Sequence, residues 1–129
     1  MNALLYAPSD DASRGAVIAL TCLRFTIAAF FAFMAIKNLT GDAHMASEFR
    51  RWGYPDWFRI ATAGFQIVGA LLLISPRVAF LGTSVLTCVL IGAAWTHLRH
   101  DPPLAVASPA VFLVLVGVLA YGYRPPLLR

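Results

Sequence analysis

The chain has few charged residues and even fewer acidic ones. Of its 129 residues only 12% are charged, with 6 Asp or Glu against 10 Lys or Arg, while 60% are hydrophobic. The mean hydropathy is +0.74. An average soluble domain carries about twice this share of charged residues. The composition therefore excludes an ordinary water-soluble fold, and the high apolar content excludes a disordered chain.

Residue types that disulfide, haem and metal sites require are also scarce. The two cysteines, Cys22 and Cys88, lie in separate apolar stretches, which argues against a disulfide scaffold and against quinone-linked disulfide catalysis. A haem in a helical bundle needs histidines inside the helices, whereas the three histidines here fall at the ends of apolar stretches or in connections. We predict no metal site, because only His97, His100 and Asp101 approach the spacing of metal ligands.

The basic residues do not form a cluster, although the formal net charge is +4. They are scattered singly around the ends of the apolar stretches. A nucleic-acid-binding protein gathers its Lys and Arg residues on one face. We therefore predict no nucleic-acid partner and interpret these residues as anchors at the ends of membrane-spanning segments.

Four apolar stretches, each about the length that crosses a bilayer, make up most of the chain. They run over about residues 16–36, 57–74, 78–98 and 104–121. Four crossings place both chain ends and the 75–77 hairpin on one side, here called side A, and the 37–56 and 99–103 connections on the other, side B. The sequence thus predicts an all-α fold, a four-transmembrane-helix bundle that forms a single integral membrane domain over 1–129.

The one long connection carries a helical pattern of its own. Met45, Phe49 and Trp52 recur at helical spacing after Asp42, a residue type that caps helix starts. We predict a short helix over about 42–52 that lies in the side B interface, with its apolar residues toward the bundle or the lipid.

Arg24 is the most informative position in the sequence. Counted from Ala16, it lies about 12 Å along the first helix and close to the bilayer midplane, where a charge costs about 2.5–3.5 kcal/mol on insertion scales. We predict that Arg24 meets Gln66 inside the bundle, with Thr62 and Gly69 on the same face as Gln66. Two interpretations stay open: a structural hydrogen bond between two helices, or a guanidinium that binds an anionic or carbonyl-bearing ligand.

A second group of candidate residues falls at the side B ends of the helices. This group comprises Lys37, Tyr54, Trp57, Trp95 and His97. Aromatic residues here are also typical of an interfacial belt, and a lysine here of a side chain that reaches the lipid headgroups. Histidine is the side chain that exchanges protons most readily near neutral pH. We predict that the group lines one mouth of a ligand site.

Several short segments together resemble the DoxX-like family of small membrane proteins. These segments are Leu23-Arg24-Phe25, Phe31-Ala32-Phe33, Lys37-Asn38-Leu39-Thr40-Gly41, Gly53-Tyr54-Pro55-Asp56-Trp57-Phe58, Gly69-Ala70-Leu71-Leu72-Leu73, Pro76-Arg77, Gly92-Ala93 and His97-Leu98. The resemblance implies a four-helix membrane protein, sometimes a subunit associated with sulfur-compound or quinone-linked oxidoreductases. The family usually has a glutamate where Gln66 stands, and an amide at this position orients a ligand but does not titrate.

Three functional hypotheses follow. The first is a DoxX-like bundle that binds a small hydrophobic or quinone-like ligand between Arg24, Gln66 and the side B mouth, as an accessory or membrane subunit of an oxidoreductase system. The second is a stand-alone membrane enzyme of the isomerase or cyclase type, in which Arg24 and Gln66 polarise an apolar substrate and His97 or Glu48 exchanges a proton. The third is a structural or assembly protein without a ligand.

The sequence requires no cofactor and is compatible with a quinone. Besides the lipid bilayer and a small hydrophobic ligand, a soluble oxidoreductase subunit or a second copy of the chain stays open as a partner, because small residues on lipid-facing helices pack equally well between copies. We expect the bilayer to be the bacterial inner membrane.

Overall fold

The structure, a computed structural model, describes residues 13–128, and all regular secondary structure in this range is helical. The helices are α1 (Arg14–Leu39), α2 (Ala43–Arg51), α3 (Asp56–Ile74), α4 (Ala79–His100) and α5 (Ala107–Gly122). Short 3-10 turns span Pro103–Val106 and Pro126–Leu128. Four segments are long and apolar enough to cross a membrane, namely α1, α3, α4, and α5 with the turn before it. The predicted all-α fold with four spans is confirmed, and the chain is an integral membrane protein.

Local sequence signals fix the helix ends. Ser13 caps α1 by accepting a hydrogen bond from the Ala16 amide at 3.1 Å, and Pro55 precedes α3 in an extended conformation. Ser75 is extended and ends α3, while Pro102 separates α4 from the final span. Each predicted limit lies within one helical turn of the observed one.

The short helix predicted in the long connection is confirmed as α2. The Asp42 carboxylate caps it by accepting a hydrogen bond from the Met45 amide at 3.2 Å. Two glycines flank the helix, Gly41 with φ 69° and Gly53 with φ 85°, a backbone conformation that glycine adopts without steric cost. These turns fold α2 back against α1 and α3, at the side B end of the bundle.

The bundle is packed around α1 and α3, which make the most extensive contact, and α4 packs between α3 and α5. The α3–α4 contact depends on two glycines. A Cβ on Gly82 would lie 2.9 Å from the Gly69 carbonyl oxygen, and a Cβ on Gly69 would lie 2.5 Å from the Leu86 side chain. Gly69 is therefore a helix-packing residue, and α4 fills the space in front of it.

Candidate functional site

A cleft of about 570 Å³ lies in the side B half of the bundle, and all five helices contribute to its walls. Its volume is in the range of small-molecule sites, about 300–1,000 Å³. Most lining residues are apolar or aromatic, among them Phe30, Phe31, Met34, Phe49, Phe58, Phe65 and Phe112. Phe65 and Trp95 line the cleft and are 61% and 58% exposed. The cleft thus opens on the lateral face of the bundle, which faces lipid in a membrane.

Arg24 does not line this cleft. Its guanidinium donates to the Leu73 carbonyl at 2.6 Å and to the Ile74 carbonyl, and its Nε donates to the Tyr123 hydroxyl at 3.2 Å. The last carbonyls of a helix have no partner within the helix, and a positive charge at that end is favourable. Arg24 therefore makes the contacts of a C-terminal cap for α3. The predicted meeting of Arg24 with Gln66, directly or through a water or ligand, does not occur as a direct hydrogen bond.

The helix register places Arg24 nearer to side A than its count from Ala16 indicates. In the structure α1 begins ten residues before Arg24, and Arg24 is level with the end of α3 at Ile74 and with Tyr123 just after α5. The first turns of α1 therefore extend beyond the side A ends of α3 and α5. Arg24 sits at the side A ends of these helices, where helix carbonyls are free to accept its hydrogen bonds.

Gln66 instead pairs with Asn38, a residue that sequence reasoning missed. The Asn38 amide donates to Gln66 Oε1 at 3.0 Å, and the two residues are 1% and 6% exposed. Both line the cleft. Asn38 Oδ1 has no hydrogen-bond partner among residues 13–128, and neither does Nε of the neighbouring Arg59, whose guanidinium donates to the Asn38 backbone carbonyl. The cleft wall thus contains a buried carboxamide pair with unused hydrogen-bonding capacity.

A polar cluster closes the side B end of the cleft around Asp101. His97 Nδ1 lies 2.7 Å from Asp101 Oδ2, the Trp52 indole donates to the same oxygen at 3.2 Å, and Arg51 approaches Asp101 Oδ1 at 2.7 Å. Glu48 in turn pairs with Arg51 at 2.6 Å. The cluster joins α2 to the end of α4 and orients the imidazole, which lines the cleft.

The carboxylates of this cluster are held in their charged forms. Burial acts to raise the pKa of Asp101, but hydrogen bonds from His97, Arg51 and Trp52 outweigh it and leave the pKa below its ordinary value of 3.8. The hydrogen bond from Arg51 likewise lowers the pKa of Glu48 below its ordinary value of 4.5. The ionised carboxylate of Asp101 therefore accepts a hydrogen bond from Nδ1–H of His97 and orients the ring.

Five of the predicted site residues come together in the cleft, namely Gln66, Thr62, Tyr54, Trp95 and His97. The Tyr54 hydroxyl is 2.8 Å from Thr96 Oγ1, and the Thr62 hydroxyl donates to the Phe58 carbonyl at 2.9 Å. Trp95 lies at the rim, where the Arg99 guanidinium is 5.4 Å from the centre of its ring.

The other four predicted site residues do not line the cleft. Arg24 and Gly69 are in the packing contacts described above. Lys37 Nζ is 3.9 Å from Asp42 and lies 5.7 Å from the centre of the Phe33 ring. Trp57 is 67% exposed and packs edge-on against Phe58. Neither Lys37 nor Trp57 is among the residues that line the cleft.

The comparison with known proteins agrees with this architecture. The chain matches the model of the DoxX-like family over residues 22–119. No curated protein and no solved structure matches it. The matched region contains the four spans in all but their outer turns, together with α2, the carboxamide pair and the Asp101 cluster. The chain belongs to the DoxX-like family.

Proposed function

We propose that this membrane protein binds a small apolar, quinone-like ligand in the side B cleft. The observation that carries the proposal is the cleft itself, a lateral space of about 570 Å³ with aromatic walls and only a few polar groups. Ligand sites typically combine apolar walls with a small number of placed polar groups. An opening toward the lipid suits a ligand that partitions into the bilayer.

The aromatic walls favour a flat ring. Phe30 and Phe112 stack with their centroids 4.3 Å apart, and Tyr54 and Phe58 stack at 4.6 Å. All four rings line the cleft. Aromatic faces and edges pack well against another planar ring, and we expect the Gln66 amide, which lines the cleft, to donate a hydrogen bond to a ring oxygen. The family resemblance adds the wider proposal that the protein acts as an accessory or membrane subunit of an oxidoreductase system.

Tryptophan fluorescence tests ligand binding directly, because quinones quench nearby indoles. Trp52 and Trp95 line the cleft, whereas Trp57 does not. The protein in lipid nanodiscs should show saturable quenching by decylubiquinone. Trp95→Phe should remove a large part of the saturable signal, and the matched variant Trp57→Phe should keep it. Quenching that rises linearly without saturation, as partitioning into lipid produces, would overturn the proposal.

A second candidate function is a stand-alone enzyme of the isomerase or cyclase type. The observation that favours it is the His97–Asp101 pair beside an apolar cleft, since a carboxylate that orients an imidazole is a common arrangement for proton transfer. Its test is solvent deuterium incorporation next to the carbonyl of an apolar ketone such as 2-undecanone. The wild-type protein should catalyse the exchange and His97→Gln should not. A rate equal in both proteins would exclude this function for the ketone class.

A further inference from the structure

Three hydroxyl groups in the cleft already make hydrogen bonds within the protein. Thr62 donates to the Phe58 carbonyl and Thr96 donates to the Gly92 carbonyl. Thr96 Oγ1 also takes the hydroxyl of Tyr54 as its partner at 2.8 Å. These three hydroxyls line the cleft but have no hydrogen left to donate to a ligand. The groups with capacity left therefore matter most for ligand recognition.

The Asn38–Gln66 pair is the best defined of those groups. Two carboxamides joined by one hydrogen bond leave one oxygen and one amide group unpaired. The Asn38 oxygen is unpaired in a residue that is 1% exposed. If the oxygen and nitrogen positions of both amides are exchanged, the same bond persists and the pair still offers one acceptor and one donor. A ligand group that both donates and accepts a hydrogen bond therefore matches the pair.

The lack of basic side chains in the cleft lining argues against an anionic ligand. No Lys, Arg, Asp or Glu side chain lines it within the described residues. Arg59 contacts the Asn38 backbone carbonyl but does not line the cleft. A carboxylate in the cleft would lose its hydration with no Lys or Arg side chain in the lining to pair with it, and this loss is costly.

We propose that the ligand carries a hydroxyl group that binds the Asn38–Gln66 pair, and the proposal rests on the proposed function of the cleft. A hydroxyl donates one hydrogen bond and accepts another, so it satisfies both unpaired groups at once. A quinone carbonyl or an ether only accepts and leaves the amide oxygen buried without a donor. Leaving such a group unpaired weakens binding by about tenfold. The preferred ligand is an apolar alcohol or phenol, such as the reduced form of a quinone.

A matched series of ligands tests this inference. Decylubiquinol, decylubiquinone and the dimethyl ether of decylubiquinol share one ring and tail, and only the first donates hydrogen bonds. Their affinities are measured anaerobically in nanodiscs by competition against a tritiated quinone. We expect the quinol to bind about tenfold more tightly than either other compound. A second pair, 1-dodecanol and dodecanoate, compares a hydroxyl with an anion, and the alcohol should bind more tightly.

Variants locate the hydroxyl on the protein. Asn38→Leu should bring the ratio of quinol to quinone affinity close to one. Gln66→Met makes the same test from α3 if the Asn38 variant fails to fold. Thr87→Val is the matched control, because Thr87 bonds the Thr83 carbonyl at 2.7 Å and does not line the cleft. It should keep the full preference.

Each outcome has a distinct consequence. Equal affinities for all three ring compounds would overturn the hydroxyl inference and leave the proposed function standing, since all three would still bind. A quinol preference that persists in both Asn38→Leu and Gln66→Met would also overturn it, because the hydroxyl would then bind elsewhere. Tighter binding of dodecanoate than of 1-dodecanol would overturn it in favour of an anionic ligand. Saturable binding of none of the five compounds would overturn the proposed function itself.

Discussion

The two halves of the bundle differ in the hydrogen bonding of their buried polar groups. In the side A half, Arg24 is 5% exposed and bonds two helix carbonyls and a tyrosine hydroxyl. In the side B half, Asn38 is 1% exposed with an unpaired oxygen beside a cleft of about 570 Å³. A buried charge with its bonds satisfied is a structural feature. Unpaired groups beside open space are the feature on which the proposed ligand site rests.

The largest expected effect is at Arg24. Arg24→Leu would leave the Leu73 and Ile74 carbonyls and the Tyr123 hydroxyl without their donor. Hydrogen bonds to charged groups contribute about 1.5–3 kcal/mol each, so we expect a loss of about 3 kcal/mol or more in the free energy of unfolding. Thermal unfolding in detergent measures it, with the exposed Arg77→Leu on the same side as the control. If Arg24→Leu unfolds like the control but loses quinone binding, the division into a structural half and a ligand half is wrong.

Glycines give a second test of the same comparison. Gly82→Ala places a Cβ 2.9 Å from the Gly69 backbone oxygen, which forces α3 and α4 apart and should destabilise by about 1–3 kcal/mol. Gly92→Ala, on the cleft wall in the same helix, meets nothing within 4 Å and should be tolerated. Unfolding measurements on the two variants compare a packed position with an open one. Equal destabilisation by both would show that the cleft half is as tightly packed as the other.

The docking of α2 over the cleft should depend on pH. Because the pKa of Asp101 is lowered in the folded protein, its contribution to docking is fully present above its ordinary value of 3.8 and is lost as the pH falls below it. The lowered pKa of Glu48 acts in the same direction below 4.5. Trp52, which donates to Asp101, should report the release as a change in fluorescence. Asp101→Asn should show the released spectrum already at neutral pH, and an unchanged acid transition in this variant would contradict the assignment.

The smallest effect is expected at Lys37. Its contact with Asp42 is 3.9 Å long and partly exposed, and such pairs contribute about 0–1 kcal/mol. Lys37→Gln should therefore change neither unfolding nor quinone affinity by a measurable amount. A large loss of quinone affinity in this variant would instead show that Lys37 contributes to the ligand site.

The sequence predicts the fold well because its signals are local. Apolar stretches of spanning length, prolines such as Pro55 and Pro102, and the Asp42 cap each depend only on nearby residues. The candidate site depends on register between distant helices, which these signals do not contain. The pairing of Arg24 with the end of α3 depends on how far α1 extends past its neighbours.

Asn38 shows what signal was available for the site. The sequence interpretation ended the first helix at Ile36, whereas α1 continues to Leu39. On a continuous helix Asn38 follows Phe31 and Ala35 at spacings of seven and three residues, and both are buried. An amide at the end of a buried helical stripe therefore indicated a polar group inside the bundle. Its partner Gln66 was predicted to lie inside as well, but with the wrong neighbour.

Photo-crosslinking tests the central claim most directly, namely that the ligand binds in the side B cleft and not beside Arg24. A decylubiquinol analogue with a diazirine in its tail is irradiated with the protein in nanodiscs, and the labelled peptides are identified by mass spectrometry. Labelling should concentrate on residues 58–66 and 88–97, which line the cleft, and excess decylubiquinol should suppress it. Suppressible labelling confined to residues around Arg24, Ile74 and Tyr123 would contradict the account.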